Sequence, residues 1–509
     1  MPGITLSMIV KNEEKYLQGC LESVKDIVDE IVLVDTGSSD DTLEIAKKYN
    51  ADIFHFEWIN DFSAARNYAL ENSKGSWILY LDADERIDPN SVNEIKRITE
   101  NPRKSAFYCT VKSFDPEYGD NSMRYIRLFA NNPGIKFSGK IHEQIQPSLV
   151  KSDYLLVNSI VLINHIGYDV PASERKLKAE RNLSLLLKEY ESTKSPYYAF
   201  QLANSYNIIG DVENSKKYFL IAAQSPELER SHRAFSYTSL ALIAHQNHKS
   251  VEAEKLIYQS LRIFDKQPYA HYLASKICLR KGDIDKAEEI CKRVLNMTLN
   301  LPTGKDEPAI SILLNKEELI YFGLTLSMQN ENISYTKYYQ NELQNFYKGI
   351  YHNYNQMCSI VQKLIQISLL SEPEIDLLCR VINKSNMNFF LAAIYKSSHI
   401  MYKCGIVTKL FELNKENDEV KIYLAKTLDE AGKTDEAIEL LKSDEDLLKK
   451  DPAVYFYLIS FYLRKGAIEK VFESINILEN NFTQIPEVVQ STRLLKEKIN
   501  SFYKQNNVQ

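Results

Sequence analysis

Two carboxylates one residue apart close a short apolar run, Trp77-Ile78-Leu79-Tyr80-Leu81-Asp82-Ala83-Asp84-Glu85. A buried strand that ends this way puts acidic side chains at the carboxyl edge of a sheet, where open α/β folds take their ligands. Oxygen donors so placed suit Mg²⁺ or Mn²⁺, and such an ion suits the charge that gathers on a departing diphosphate. Asp283-Ile284-Asp285 and Asp444-Glu445-Asp446 have the same form but fall in a helical turn and a polar helical stretch, where solvated carboxylates are expected. Context therefore selects Asp82 and Asp84.

Three other runs carry candidate chemistry. Ile31-Val32-Leu33-Val34-Asp35 is an apolar strand ending in a carboxylate that can reach a nucleobase or ribose, and the following Thr36-Gly37-Ser38-Ser39-Asp40-Asp41 turns the chain and caps a helix. In Asn60-Asp61-Phe62-Ser63-Ala64-Ala65-Arg66-Asn67, Asp61 or Ser63 caps a helix whose first turns present Arg66. That arginine meets either a phosphate or ring carboxylate of a ligand, or an acidic neighbour in a structural ion pair. The last run is Phe137-Ser138-Gly139-Lys140-Ile141-His142-Glu143, followed by Asn164-His165-Ile166-Gly167-Tyr168. Glu143 is the carboxylate placed to take a proton from an acceptor. His165 completes a metal shell or contacts diphosphate, unless it is an ordinary polar group of a strand. His55, inside an apolar strand, is read as such a group.

Elements must hold these residues in place. Ile4–Val10, Glu30–Asp35, Asp52–Trp58 and Trp77–Leu81 read as strands, and the segments between the first three are long enough for crossover helices, which predicts a mostly parallel sheet. After Pro171 helical periodicity replaces this grammar. Gly432 to Gly466 is 34 residues, as is His248 to Gly282, and each sits in a turn between two amphipathic helices. The period and plan resemble tetratricopeptide repeats. The organisation expected is an α/β domain over 1–170, a helical linker over 171–195, repeats over 196–300, a helical region of uncertain register over 301–400, and repeats over 401–509.

Composition limits the alternatives. A formal charge of -6 supplies no basic surplus for nucleic acid. Seven cysteines without a CxxC pair indicate reduced thiols and a cytoplasmic setting. Met1 to Val10 has neither the basic start nor the apolar run of a signal peptide, and the apolar stretch Val454–Leu463 is about half of the roughly 20 residues that span a bilayer. Dinucleotide, triphosphate-loop, nucleophile-elbow and zinc-helix motifs are absent from the sequence.

At Leu6-Ser7-Met8-Ile9-Val10-Lys11-Asn12-Glu13, Val34–Thr42, Asn60–Asn67 and Asp82-Ala83-Asp84 the chain resembles glycosyltransferase family 2, of the GT-A fold, over residues 1 to about 170. Arg127-Leu128-Phe129, Gly139–Glu143 and His165-Ile166-Gly167-Tyr168, with repeats behind them, look like the sublancin S-glycosyltransferase branch. The resemblance implies that Asp35 contacts the base, Asp82 the nucleotide sugar and Asp84 the metal, with Val10, Asn12 and Glu13 lining the nucleotide pocket. UDP is the usual carrier, so a UDP-hexose such as UDP-glucose is the donor expected. Many family members carry their base in a Glu-Asp pair on a later helix. No such pair is recognisable here, and Glu143 rests on the branch motif.

The function expected is inverting transfer of a sugar to a peptide or protein side chain. Stacked helix pairs offer a groove for an extended peptide, or a surface for a homodimer. A cysteine acceptor, with a reference pKa near 8.5, would demand less of a base than a hydroxyl. The alternatives are synthesis of a surface polysaccharide or lipid-linked glycan, and a nucleotide-binding repeat scaffold without catalysis.

Overall fold

A computed structural model describes residues 3–100, 103–113, 121–166, 172–299, 310–348, 354–483 and 485–506. The chain divides into two units, Met1–Ile243 with Lys255–Leu273 and Met297–Leu314, and Ala244–Glu254 with Ala274–Asn296 and Asn315–Gln509.

The first unit is built on a mixed sheet. Its strands are β1 (Ile4–Val10), β2 (Glu30–Asp35), β3 (Asp52–His55), β4 (Trp77–Tyr80), β5 (Glu85–Ile87), β6 (Ser105–Ser113), β7 (Asn121–Ala130), β8 (Leu155–His165) and β9 (Ile310–Ile312). The order is β3-β2-β1-β4-β7-β6-β8-β5, with β9 added to β7. Strands β3, β2, β1 and β4 run parallel, so Val10, Asp35, His55 and Tyr80 all lie at one edge. Beyond β4 the expected parallel pattern gives way: β7 is antiparallel to β4 and β6, and β5 to β8, while β6 and β8 are parallel. Short connections such as the turn from β4 to β5 have no room for a crossover helix. β9 also departs from expectation, because residues 301–400 read as helical, yet Ile310-Ser311-Ile312 has the β-branched alternation that pairs with Met123-Ser122-Asn121.

Helices α1 (Leu17–Val24), α2 (Thr42–Lys48), α3 (Phe62–Asn72), α4 (Val92–Thr99) and α5 (Gln146–Lys151) accompany the sheet. Met8, Leu79, Leu128 and Ile163 from the strands close a common core with Leu17, Leu21 and Ile95. Each such side chain contributes roughly 2 kcal/mol by leaving water. α3 begins where Asp61, in extended conformation, accepts a hydrogen bond from the Ala64 N–H at 2.9 Å. α6 (Ala172–Thr193), α7 (Pro196–Ile209), α8 (Val212–Gln224), α9 (Arg230–Gln246) and α10 (Ser250–Ile263) follow. Within this unit Leu186, Phe200 and Phe219 pack together with Ile141, so the early helices share a core with the loop that carries Glu143.

The chain continues as α11 (Pro268–Arg280), α12 (Ile284–Leu299), α13 (Lys316–Gln329), α14 (Ile333–Lys348), α15 (Tyr354–Ile365), α16 (Glu372–Val381), α17 (Met387–Tyr395), α18 (Ile400–Leu413), α19 (Asp418–Glu430), α20 (Thr434–Lys442), α21 (Glu445–Lys450), α22 (Ala453–Arg464), α23 (Ile468–Asn481) and α24 (Pro486–Asn506). The turns after α7, α9, α11, α19 and α22 each contain a left-handed residue: Gly210, His248, Gly282, Gly432 and Gly466. This shared turn is the physical content of the repeat, since a positive φ lets the second helix fold back on the first. No described helix is long and apolar enough to cross a membrane.

In the second unit Tyr321, Tyr339, Tyr347, Phe389 and Phe390 are fully buried, and the Tyr321 and Tyr347 hydroxyls lie 2.8 Å apart. Gly323 on α13 lets α14 approach, because a Cβ there would fall inside the Tyr339 ring. Gly323→Ala is expected to destabilise this unit by about 1–3 kcal/mol through overpacking, read as a lower midpoint in thermal unfolding followed by circular dichroism.

Candidate active site

The turn after β4 is held by its own acidic residues. The Asp82 N–H donates to Glu85 Oε2 at 2.9 Å and the Glu85 N–H to the Asp82 carbonyl at 3.0 Å, which fixes Asp82-Ala83-Asp84 at the sheet edge. Two arginines then reach in. Arg66 donates from Nη2 to Asp82 Oδ1 at 2.7 Å and from Nε to Glu143 Oε1 at 2.5 Å. Arg127, in the buried half of β7, donates from Nη2 to Glu85 Oε1 at 2.5 Å and lies 3.3 Å from Asp82 Oδ2. The Tyr80 ring sits beside both, 5.3 Å from the Arg66 guanidinium and 4.5 Å from that of Arg127. The result is a chain of alternating charge, Glu143, Arg66, Asp82, Arg127, Glu85.

The charges within this chain decide its protonation. Burial alone would raise the Asp82 carboxyl, but the Arg66 and Arg127 guanidiniums hold it well below the usual carboxylate range. Glu85 goes the other way, pushed up to about 7 by burial and by the charge of Asp82 against the pull of Arg127. Neither Glu85 nor Arg127 was assigned a role from sequence. The available signal was a charged residue at a buried position of a strand, and its partner comes from a different part of the chain.

Helix α3 and the 137–143 loop are stitched together, which explains how Arg66 meets Glu143. The Ser63 hydroxyl donates to the Gly139 carbonyl at 2.5 Å and the Phe62 N–H to the Lys140 carbonyl at 2.9 Å. Asn67 exchanges two hydrogen bonds with the backbone of Phe137, at 3.0 and 2.7 Å. Gly139 has φ +95, and a Cβ there would strike the Tyr198 hydroxyl of α7. Of the two readings open for Arg66, the structure shows the ion pair, with Nε on Glu143 and Nη2 on Asp82.

Asp84 faces His165, the last residue of β8, with Oδ2 3.2 Å from Nε2, and Ser113 Oγ lies 3.1 Å from the other ring nitrogen. Burial would lower the imidazole's affinity for a proton, but the bond to Asp84 raises it above the ordinary histidine value. Two donors each about 2.1 Å from one ion and at right angles to each other lie about 3 Å apart, so the pair fits two neighbouring positions of a divalent cation. Among the described residues no third histidine, cysteine or acidic residue joins them. That suits Mg²⁺ or Mn²⁺, which take few protein ligands and complete their shell with phosphate and water. Gly167 and Tyr168 of the same motif lie outside the described residues.

A second corner forms at the ends of β1, β2 and β3. The Asn12 N–H donates to Ser38 Oγ at 3.0 Å and the Ser39 N–H to Asn12 Oδ1 at 2.8 Å, tying the two loops together. The Glu13 N–H donates to Thr42 Oγ1 at 2.7 Å, and the Glu13 carboxyl is pushed up to about 7 by burial and by the charge of Asp84. Val10, expected to line the nucleotide pocket, ends β1 with its side chain in the core and its carbonyl accepting from the Thr36 N–H at 3.0 Å. Asp35 is 4% exposed and accepts from the Ser38 N–H at 3.0 Å and the Gly37 N–H at 3.2 Å. His55 places Nδ1 3.3 Å from Asp35 Oδ2 while its side chain is 71% exposed. A cavity of about 670 Å³, lined by Gly75, Lys104, Asn131 and Tyr154 among others, lies at the opposite strand ends and holds none of the candidate residues.

Residues 5–153 match the family described as Glycosyl transferase family 2. Over this segment the chain is similar to that family. Two curated relatives carry the same likeness. A TPR repeat-containing protein of Synechococcus elongatus is 38% identical over 188 residues, 36% of this chain and 46% of its own. The SPbeta prophage-derived glycosyltransferase SunS of Bacillus subtilis is 34% identical over 189 residues, 36% of this chain and 44% of its own. The chain thus spans less than half the length of these relatives. Looser overlaps with solved structures include S. aureus TarS 1-349 in complex with UDP, 15% identical across 56% of this chain and 89% of that one, with a TM-score of 0.28. A tetratricopeptide repeat protein from Parabacteroides merdae, 12% identical, covers 59% of this chain and 99% of its own with a TM-score of 0.34.

Within residues 5–153, breaking the central ion pairs should be costly. Arg66→Met leaves Glu143 without its counter-charge and Asp82 with Arg127 alone, and a loss of about 2–4 kcal/mol is expected. Denaturant unfolding followed by tryptophan fluorescence checks it, and an unchanged midpoint would contradict the central place given to Arg66.

Proposed function

We propose that this chain is an inverting glycosyltransferase that moves a hexose from a UDP-sugar to a peptide or protein side chain in the cytoplasm. The observation that carries the reading is the Arg66 bridge, which sets Asp82 and Glu143 on one guanidinium beside the Asp84–His165 pair. Asp82 is 39% exposed and held ionised by two arginines, which suits it to accept hydrogen bonds from the hydroxyls of a donor. Asp84 and His165 would hold Mg²⁺ or Mn²⁺, and when bound such an ion neutralises the charge that gathers on a departing diphosphate.

Glu143 is 13% exposed, with Oε1 on Arg66 and, among the described residues, no hydrogen-bond partner on Oε2. That free oxygen takes the acceptor proton as the acceptor atom bonds to the anomeric carbon and the carbon–oxygen bond to diphosphate breaks. The bonding pair leaves with UDP. Arg66 keeps Glu143 in place for the transfer. Helix pairs joined by a common left-handed turn suit an extended polypeptide as acceptor, because stacked pairs present a groove.

Two variants test the assignment by UDP release from UDP-hexoses with and without Mn²⁺. Asp84→Ala is expected to abolish the metal-dependent part, and His165→Ala to weaken it, while both remain folded by circular dichroism. Glu143→Gln is expected to lower kcat about 10²- to 10⁴-fold with little change in donor KM. A wild-type rate in Asp84→Ala would remove the metal reading, and one in Glu143→Gln would remove the base.

A further inference from the structure

We propose that the cavity of about 670 Å³ at the amino end of β4 is a second binding site, which takes a small soluble organic phosphate through the side chains of Lys74, Arg103, Lys104 and Lys136. The chain as a whole carries a formal charge of -6, yet among the described residues these four cations line one cavity with Glu71 as its acid. Their existing partners are loose. Lys136 Nζ lies 3.8 Å from Glu71, with both side chains 62% exposed, and Lys74 Nζ lies 3.8 Å from Glu30. Lys104 sits 5.9 Å from the centre of the Tyr154 ring, and among the described residues neither it nor Arg103 has a carboxylate partner. A cleft lined by one sign of charge focuses its field and gathers ions of the other sign. Four cations exceed what the two oxygens of a carboxylate can engage, and they suit the oxygens of a phosphate chain. The volume sets the size, since cavities of about 300–1,000 Å³ take whole small molecules and a lone phosphate would leave most of this one empty.

The walls are tied together before any ligand arrives. Asn131, just past β7, donates from Nδ2 to the carbonyls of Ser73 and Gly75 at 3.1 and 2.8 Å, and its N–H donates to the Ser76 carbonyl at 2.8 Å. The Gly75 N–H in turn donates to Thr5 Oγ1 at 2.8 Å, an approach that a Cβ on Gly75 would block. On the other side the buried Tyr154 donates its hydroxyl to the Ala130 carbonyl at 2.9 Å. A frame fixed in this way spends little free energy on ordering when a ligand enters. The cavity is also remote from the proposed chemistry. Ser76 lines it and Asp82 lies beyond the other end of β4, a separation of roughly 20 Å at about 3.3 Å per extended residue. The inference therefore stands apart from the UDP-sugar reading.

The test is titration calorimetry of the full chain with ATP and with adenosine as probes, at low ionic strength, in EDTA and in the presence of saturating UDP. Three proteins are compared: wild type, Lys104→Gln with Lys136→Gln, and a control of equal net charge, Lys47→Gln with Lys48→Gln, whose lysines lie on α2 outside the cavity. All four lysines are exposed, so the variants should keep the wild-type melting temperature. Wild type and the control are expected to bind ATP despite the UDP and to ignore adenosine, with affinity falling as NaCl is added. The cavity variant should bind ATP at least about 10-fold more weakly, the scale of two charge-assisted hydrogen bonds discounted for solvent, while its Mn²⁺-dependent UDP release stays at the wild-type rate. Equal ATP affinity in the cavity variant and wild type, an equal loss in the control, or equal binding of adenosine would overturn the proposal. So would wild type that fails to bind ATP but cosediments with phosphatidylglycerol vesicles, which would make the patch a membrane contact.

Discussion

One buried guanidinium sets the geometry of the candidate site at the edge of the sheet. Arg66 is 9% exposed and shared between Asp82 at the end of β4 and Glu143 in the loop after β7. Removing such a group from water costs several kcal/mol, which is recovered only when partners lie at hydrogen-bonding distance on both sides. The surrounding structure supplies that precision. Ser63 and Asn67, on the same turns of α3, bind the backbone of the 137–140 loop, and Ile141 packs into the core of the early repeat helices. The position of Glu143 is therefore determined by α3, by its own loop and by α7 through the Tyr198 contact at Gly139.

The consequence is a division of labour among carboxylates that look alike in sequence. Asp82 is kept ionised by two arginines, Glu85 is driven toward neutrality by the same surroundings, and Asp84 escapes both arginines to face His165. Opposite environments separate the roles of neighbouring acids, a recurrent way of running charge stabilisation and proton transfer in one site. Asp35 follows the same logic at the other corner. Its carboxylate accepts from a turn and lies 3.3 Å from the Nδ1 of an exposed imidazole.

Much of this was legible in the sequence, for reasons of locality. The ends of β1, β2 and β4 are marked by apolar runs that stop at polar residues, and the cap at Asp61 and the turn residues of the repeats act over three or four positions. His248 could be placed in a turn because its spacing to Gly282 matched the period, and it carries the same left-handed backbone as the glycines. What was not legible depends on contacts between distant segments. Arg127 and Glu85 find each other across 42 residues, the antiparallel half of the sheet follows from which strands pair, and the short strand β9 joins β7 from far along the chain. Arg66 is readable as an arginine on the first turns of a helix, but only the fold brings Asp82 and Glu143 to its Nη2 and Nε. His55 reads as an ordinary polar group of its strand, because a polar residue in an apolar run carries no local sign of the Asp35 carboxylate 3.3 Å away on the neighbouring strand.

The proposed function requires the edge formed by β4, β5 and β8 to take a metal ion and a nucleotide diphosphate beside the Arg66 network. A crystal structure of the chain grown with Mn²⁺ and UDP, with anomalous diffraction to locate the ion, tests it most directly. The account predicts an anomalous peak about 2.1–2.3 Å from an Asp84 oxygen and His165 Nε2, with diphosphate oxygens on the same ion and Arg66 still bridging Asp82 and Glu143. Manganese bound elsewhere, with the Asp84–His165 hydrogen bond intact beside bound UDP, would contradict it.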